Sequence, residues 1–179
     1  MGTIRTPERV GLISAVMAID LEWMDRAKSA LAHQFGPIGL QSEWFPFDFS
    51  SYYQREMGGP LIKQFISFQP LVSMDQIGAI KRATNHLEEE LGHVQEGILR
   101  RRVNIDPGYV APSKVVLATT KDYDHRIYLG GGIYAEVTLR YRHGQFRPLD
   151  WTYPDYRTDL AIAFFSRVRR HVLAHARER

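Results

Sequence analysis

The sequence predicts an α+β fold, and three observations carry that prediction. Stretches with apolar residues three and four apart, the period of a helix, alternate with short runs rich in Val, Ile and aromatic residues. Helix start signals and Gly or Pro stop signals fall between them. A glycine-rich segment near residue 130 separates two strand-like runs and reads as a hairpin.

Residues 9–19 form an apolar run with Val and Ile and no Pro, a buried strand. Asp20 can cap a helix reaching about residue 35, with Leu21, Met24, Ala27 and Leu31 on one face, and Gly36-Pro37 ends it. Residues 39–49 carry strand-like aromatics, with Pro46 marking an edge or a bend. Residues 52–60 read as a loop or a single helical turn. In residues 61–72, Phe65, Ser67 and Gln69 alternate against Ile66 and Phe68, a second extended run. Ser73 followed by Gln76 is a capping box. The helix after it is marked by Ile77, Ile80, Thr84, Leu87 and Leu91 and closed by Gly92.

Residues 101–106 read as a short strand that stops at the Asp106-Pro107-Gly108 turn signal. Residues 115–120 are open between a strand, from their β-branched content, and a short helix capped by Ser113. Residues 125–141 form a hairpin that continues through a turn at His143-Gly144. Thr158 caps a last helix, with Leu160, Phe164, Val168 and Val172 inward. The order strand, helix, strand, strand, helix, strand matches a ferredoxin-like βαββαβ core, here extended by a C-terminal β-hairpin and helix. A sheet with helices on one face would hold the core of a single domain over residues 1–179.

The absence of cysteine excludes a disulfide framework, a thiolate nucleophile and thiolate metal sites, and fits a reducing compartment. The apolar stretch from Val10 to Ile19 is too short to span a bilayer and lacks a cleavage pattern, so a cytoplasmic chain without a membrane segment is expected. The net charge of +3 and pI near 9.2 favour a nucleic-acid partner only weakly. Arginines cluster at 100–102, at 140, 142 and 147, and at 167, 169 and 170, where solvated surface is the ordinary account.

The hairpin allows a sharper reading, because directly opposed residues point to one face. A loop of Gly130, Gly131 and Gly132 sets Leu129 opposite Ile133, Ile127 opposite Ala135 and His125 opposite Val137. That register collects Ile127, Leu129, Ile133, Ala135, Val137 and Leu139 on one face, with His125 on the apolar side. Arg126, Tyr128, Tyr134, Glu136 and Thr138 share the other, so Arg126 opposes Glu136 and Tyr128 opposes Tyr134. The pair is either an ordinary cross-strand ion pair, worth a few tenths of a kcal/mol by rough estimate, or an anion-binding or acid/base face. The three glycines do not complete a phosphate loop, since no helix N-terminus and no Gly-Lys-Ser/Thr follows.

Other candidates surround this pair. Arg102, Asn104 and Asp106 alternate on one face of their strand, either solvated or placed at a strand end where ligands bind. Lys121, Asp124 and His125 precede the hairpin. The segment from Trp151 to Arg157 can stack a ring on Tyr153 and bring Arg157 to an anion, or pack over the core. Glu43, Asp48, Tyr52, Tyr53 and Glu56 form a similar mixture. No metal site is expected: His171 and His175 share a helical face but lack a third ligand nearby, and His86 and His93 do not form a zincin pattern. No Gly-x-Ser-x-Gly elbow supports a hydrolase triad.

Several strings together are distinctive: Ser42-Glu-Trp-Phe-Pro-Phe-Asp-Phe, Tyr52-Tyr-Gln-Arg-Glu-Met-Gly, Arg102-Val-Asn-Ile-Asp-Pro-Gly-Tyr, Leu117-Ala-Thr-Thr-Lys, His125-Arg-Ile-Tyr-Leu, Gly132-Ile-Tyr-Ala-Glu-Val-Thr-Leu and Trp151-Thr-Tyr-Pro-Asp-Tyr-Arg. With them the chain resembles domain-of-unknown-function family 4416, a set of prokaryotic single-domain proteins of about this length. The resemblance covers nearly the whole chain and implies no assigned catalytic residue.

The expectation is therefore a protein that binds, and could turn over, a small anionic ligand such as a nucleotide or phosphate ester. Arg126, Arg102, Asn104, Lys121, Tyr134, Tyr153 and Arg157 would contact the ligand; Glu136, His125 and Asp106 are the acid/base candidates. A module for single-stranded nucleic acid and a non-catalytic structural or interaction protein are the alternatives. Cofactors stay unassigned, and a homo-oligomer stays open.

Overall fold

The computed structural model describes residues 2–50, 53–95 and 97–177. Tyr52 lies outside them. In chain order the elements are β1 (Val10–Ala18), α1 (Leu21–Phe35), β2 (Ile38–Gln41), β3 (Phe45–Pro46), α2 (Gln54–Met57), β4 (Ile62–Val72), α3 (Ile77–Glu90), β5 (His93–Gln95), β6 (Ile98–Arg100), β7 (Val103–Ala111), β8 (Lys114–Thr119), β9 (Ile127–Gly130), β10 (Ile133–Arg142), β11 (Gln145–Pro148) and α4 (Asp159–Arg177). Three long helices thus accompany a large antiparallel sheet. Its strand order is β11-β10-β8-β7-β1-β4-β2, with β3 beside β4 and β9 beside β10.

The helices cover both faces of the sheet, not one. Leu12, Val16, Ile66, Phe68, Val103 and Ile105 pack with Met24, Ala27 and Leu31 of α1 and Ile77 and Ile80 of α3. Ile13, Ala15, Phe65, Val110, Val115 and Leu117 point the other way, onto Phe164, Phe165 and Val168 of α4. Every residue of β1 is buried. A continuous apolar run is what a strand covered on both sides requires, whereas a sheet open on one side would alternate.

Local signals set the helix ends. Asp20 caps α1 by accepting from the Trp23 amide at 2.9 Å. Both halves of the Ser73–Gln76 capping box form before α3. Thr158 Oγ1 accepts from the Ala161 amide at the start of α4. Leu21, expected inward, is 51% exposed. Of the open segment 115–120, residues 115–119 resolve as strand, within β8.

Two strand readings change. Asp106-Pro107-Gly108 does not turn: β7 runs straight through it to Ala111. The reason lies in the neighbour. Along β7, Val103–Val110 pairs with β1, but only Gly108–Ala111 pairs with β8. Ile105 directs its amide and carbonyl away from β1, and Pro107, two residues on, faces the same way without an N–H to offer. The β7–β8 hairpin therefore splays at Pro107, while β8 stays paired to β10 as far as Thr119. Gly108 makes the last close approach: a Cβ there would collide with the Val116 carbonyl oxygen and sit 2.7 Å from Leu117 Cδ2.

The second change concerns the β9–β10 hairpin. Tyr128 opposes Tyr134 and Ile127 opposes Ala135, but Gly130, rather than Leu129, opposes Ile133. A second irregularity between Val137 and Leu139 turns Leu139 toward α4. Ile127 (72% exposed) and Leu129 (45% exposed) are left in solvent, because β9 lies on the sheet's edge beyond the helices. The apolar face is thus shorter than the alternating sequence suggests.

Candidate functional site

The splayed hairpin opens into a cleft of about 630 Å³. One wall is the first half of β7 with Asn104 and Asp106; the other is the end of β8 and the following turn, Thr119 to Lys121, with Arg126 and Glu136 behind. α3 contributes Lys81, Asn85 and Glu88. The loop around α2 brings Phe47, Phe49, Tyr53 and Glu56, and the segment before α4 brings Tyr153, Asp155 and Tyr156.

An unpaired strand edge in the middle of a sheet needs partners for its backbone groups. Two side chains of α3 supply them. Glu88 Oε1 accepts from the Ile105 amide at 2.7 Å, and Lys81 Nζ donates to the Ile105 carbonyl at 2.9 Å. Both are buried, at 4% and 5% exposure. They stand in for the strand that β8 fails to be, and so hold the fork open.

Charged pairs line the opening. Arg101 presents its Nε/Nη2 edge to both oxygens of Glu56, each contact at 2.6 Å, and uses Nη1 for Glu88 Oε2 at 2.8 Å and Asn104 Oδ1 at 3.0 Å. The hydrogen bond from Arg101 holds the Glu56 carboxyl below the usual carboxylate range. Burial pushes Glu88 the other way, upward, against the pull of Lys81. Asp106 Oδ2 accepts from Asn104 at 2.9 Å, Oδ1 lies 3.6 Å from Lys81 Nζ, and the side chain keeps 31% of its surface toward the cleft. Lys63 and Asp155 form a buried pair at 2.7 Å, with the ammonium 5.1 Å from the ring centres of Phe47 and Tyr156.

The Arg126–Glu136 pair forms at 2.8 Å, with both side chains buried. Arg126 also donates to the Lys121 carbonyl and to the Tyr153 hydroxyl, each at 2.9 Å. His125 does not face the apolar side: its Nε2 meets Glu136 Oε2 at 3.0 Å. A turn bond from the Arg126 amide to the Tyr123 carbonyl precedes β9, so residues 125 and 126 do not alternate as strand residues would. The His125 ring lies between Tyr123 and Trp151, with centroids at 6.0 and 5.1 Å.

At the floor, Tyr156 is 2% exposed and its hydroxyl has no hydrogen-bond partner among the described residues. Burial, with Asp106 and Asp155 nearby, pushes this phenol well above its ordinary range, so it stays protonated. Burial and Asp106 do the same to Tyr53.

Asn104, Asp106, Lys121, Arg126, Glu136 and Tyr153 thus share one cleft. His125 touches it through Glu136. Arg102 stands apart, stacked on Trp23 at 4.5 Å and donating to His93. Arg157 donates to the carbonyls of Leu149, Asp150 and Thr152 and fixes that loop. Tyr134 packs against Tyr128, outside the lining. Lys81, Glu88, Arg101, Lys63 and Asp155 were not expected at a site. One signal was available: Ile77, Lys81, Thr84 and Glu88 recur at helical spacing, so two charged residues sit on the apolar face of α3.

α1 and α3 cover one side of the sheet's centre and α4 the other. Among the described residues no helix is long and apolar enough to cross a membrane. A family model described as "Domain of unknown function (DUF4416)" matches residues 8–171. No curated protein and no solved structure matches the chain.

Proposed function

Because the chain belongs to the DUF4416 family, whose description assigns no activity, we propose from its own geometry that it binds a small anionic ligand, a nucleotide or phosphate ester, in the cleft of the splayed hairpin. The observation that carries the reading is the convergence of Lys81, Arg101, Lys121 and Arg126 with aromatic rings on one opening of ligand size. Asp106, the carboxylate of β7 that faces the cleft, and Glu136, held by Arg126 and His125, are the acid/base candidates if the ligand is turned over. Phe49, Tyr53 and Tyr153 offer rings for a base or sugar.

Two further readings belong to this proposal. The order β7-β1-β4-β2, with α1 and α3 as connections, supports a ferredoxin-like unit to which β8–β11 add the second wall of the cleft. A cytoplasmic setting suits a nucleotide or phosphate-ester ligand, and subcellular fractionation checks it.

The test is a thermal-shift panel of nucleotides and phosphorylated metabolites at millimolar concentration, with Arg126→Gln and Lys121→Gln alongside. At a ligand concentration about 100 times Kd the folded state gains about 2.7 kcal/mol, a plain rise in Tm. A stabilising ligand whose effect shrinks in both variants supports the proposal. A panel without any shift, or a shift indifferent to both variants, counts against it.

A further inference from the structure

Arg101 divides its donors between two kinds of partner. Nη1 is committed to buried groups, Glu88 on α3 and Asn104 on β7. The Nε/Nη2 edge faces Glu56, which α2 carries on the loop closing the cleft. Arg101 and Glu56 both line that cleft, with side-chain exposures of 23% and 33%. Two parallel N–H···O bonds from one guanidinium edge are the geometry in which arginine takes either a carboxylate or a phosphate. Glu88 already balances the charge of Arg101, so the second carboxylate is not needed for neutrality. Glu56 therefore occupies a place built for an anion while standing on an element separate from the sheet and α3.

Resting on the proposal that the cleft binds an anionic ligand, we infer that the Nε/Nη2 edge of Arg101 is its anion subsite, and that the ligand's phosphate replaces the Glu56 carboxylate there. The contact between Glu56 and Arg101 is then self-occupation of the site. Ligand binding exchanges one bidentate partner for another and releases α2 from the cleft wall.

The experiment is isothermal titration of the full chain with inorganic phosphate, AMP and adenosine, comparing native protein with Glu56→Gln and with Glu56→Gln/Arg101→Lys. Glutamine keeps the shape and removes the competing charge. The expected result is about a tenfold gain in affinity for phosphate and AMP in Glu56→Gln. Adenosine, which has no anion, gains nothing, and Arg101→Lys abolishes the gain because lysine keeps the charge but cannot offer the bidentate edge. Binding of AMP by native protein with equal or weaker binding by Glu56→Gln overturns the inference and leaves the cleft proposal standing. A gain that survives Arg101→Lys also overturns it. Failure of every form to bind phosphate or AMP removes both. Thermal melting of each variant shows that it is folded before titration.

Discussion

Replacing Glu88 by Leu removes the acceptor that α3 supplies to the free edge of β7, and the cost can be worked from its contacts. Glu88 accepts from the Ile105 amide and pairs with Arg101. Arg101 keeps its two bonds to Glu56, so no charge is stranded and the loss of about 3–5 kcal/mol seen when a buried pair is broken does not apply. The Ile105 amide, on a residue with no exposure, is left without an acceptor, which costs about 1–3 kcal/mol. Leucine has similar bulk and removes a carboxylate that burial disfavours, which offsets part of the cost. The expected loss is about 2 kcal/mol, or a fall in Tm of about 4–8 °C for a chain of this size. Calorimetry measures the first quantity, and amide hydrogen exchange reads Ile105 directly, where protection should fall by about tenfold or more. A Tm within about 1 °C of the native value, with Ile105 still protected, would refute the role given to Glu88 in holding the fork.

Two further predictions use the same walls. Tyr156→Phe removes a buried hydroxyl with no partner among the described residues, so stability should stay level or rise by up to about 1 kcal/mol; a fall of more than about 1 kcal/mol in chemical denaturation would reveal a bond that the structure does not contain. Glu56 has a lowered folded pKa, so its contribution is fully present above its unfolded value of about 4.3 and is lost as pH falls through the folded value. Native protein should therefore exceed Glu56→Gln in stability at pH 7, and the gap should close on acidification below about pH 4; a gap that is constant with pH would contradict the clasp.

Much of the framework was legible because local chemistry decided it. The Asp20 cap and the Ser73–Gln76 box mark helix starts that form as read. The opposition of Tyr128 to Tyr134 followed from alternation alone, and Arg126 does reach Glu136. Other features depended on neighbours that a local pattern does not reveal. Pro107 reads as a turn only until β8 turns away and leaves it no ladder to break. Ile127 and Leu129 alternate like core residues but sit where no helix covers them. Lys81 and Glu88 fall on the apolar face of α3, which marks them as unusual, but the backbone groups they serve are freed by the missing strand and are not legible locally. The apolar run of β1 was legible as a buried strand, but the order of elements suggested a sheet with helices on one face, and the cover on its second face by α4 went unread.

The most direct measurement is NMR chemical-shift mapping of the isotope-labelled chain during titration with AMP. The cleft account predicts saturable shifts concentrated at Arg101, Asn104 to Asp106, Thr119 to Lys121, Arg126 and Glu136, with Tyr134 and Arg157 little changed. Saturable shifts centred elsewhere, on the outer face of α4 or the β5–β6 ribbon, or no saturable shifts at all, would contradict it.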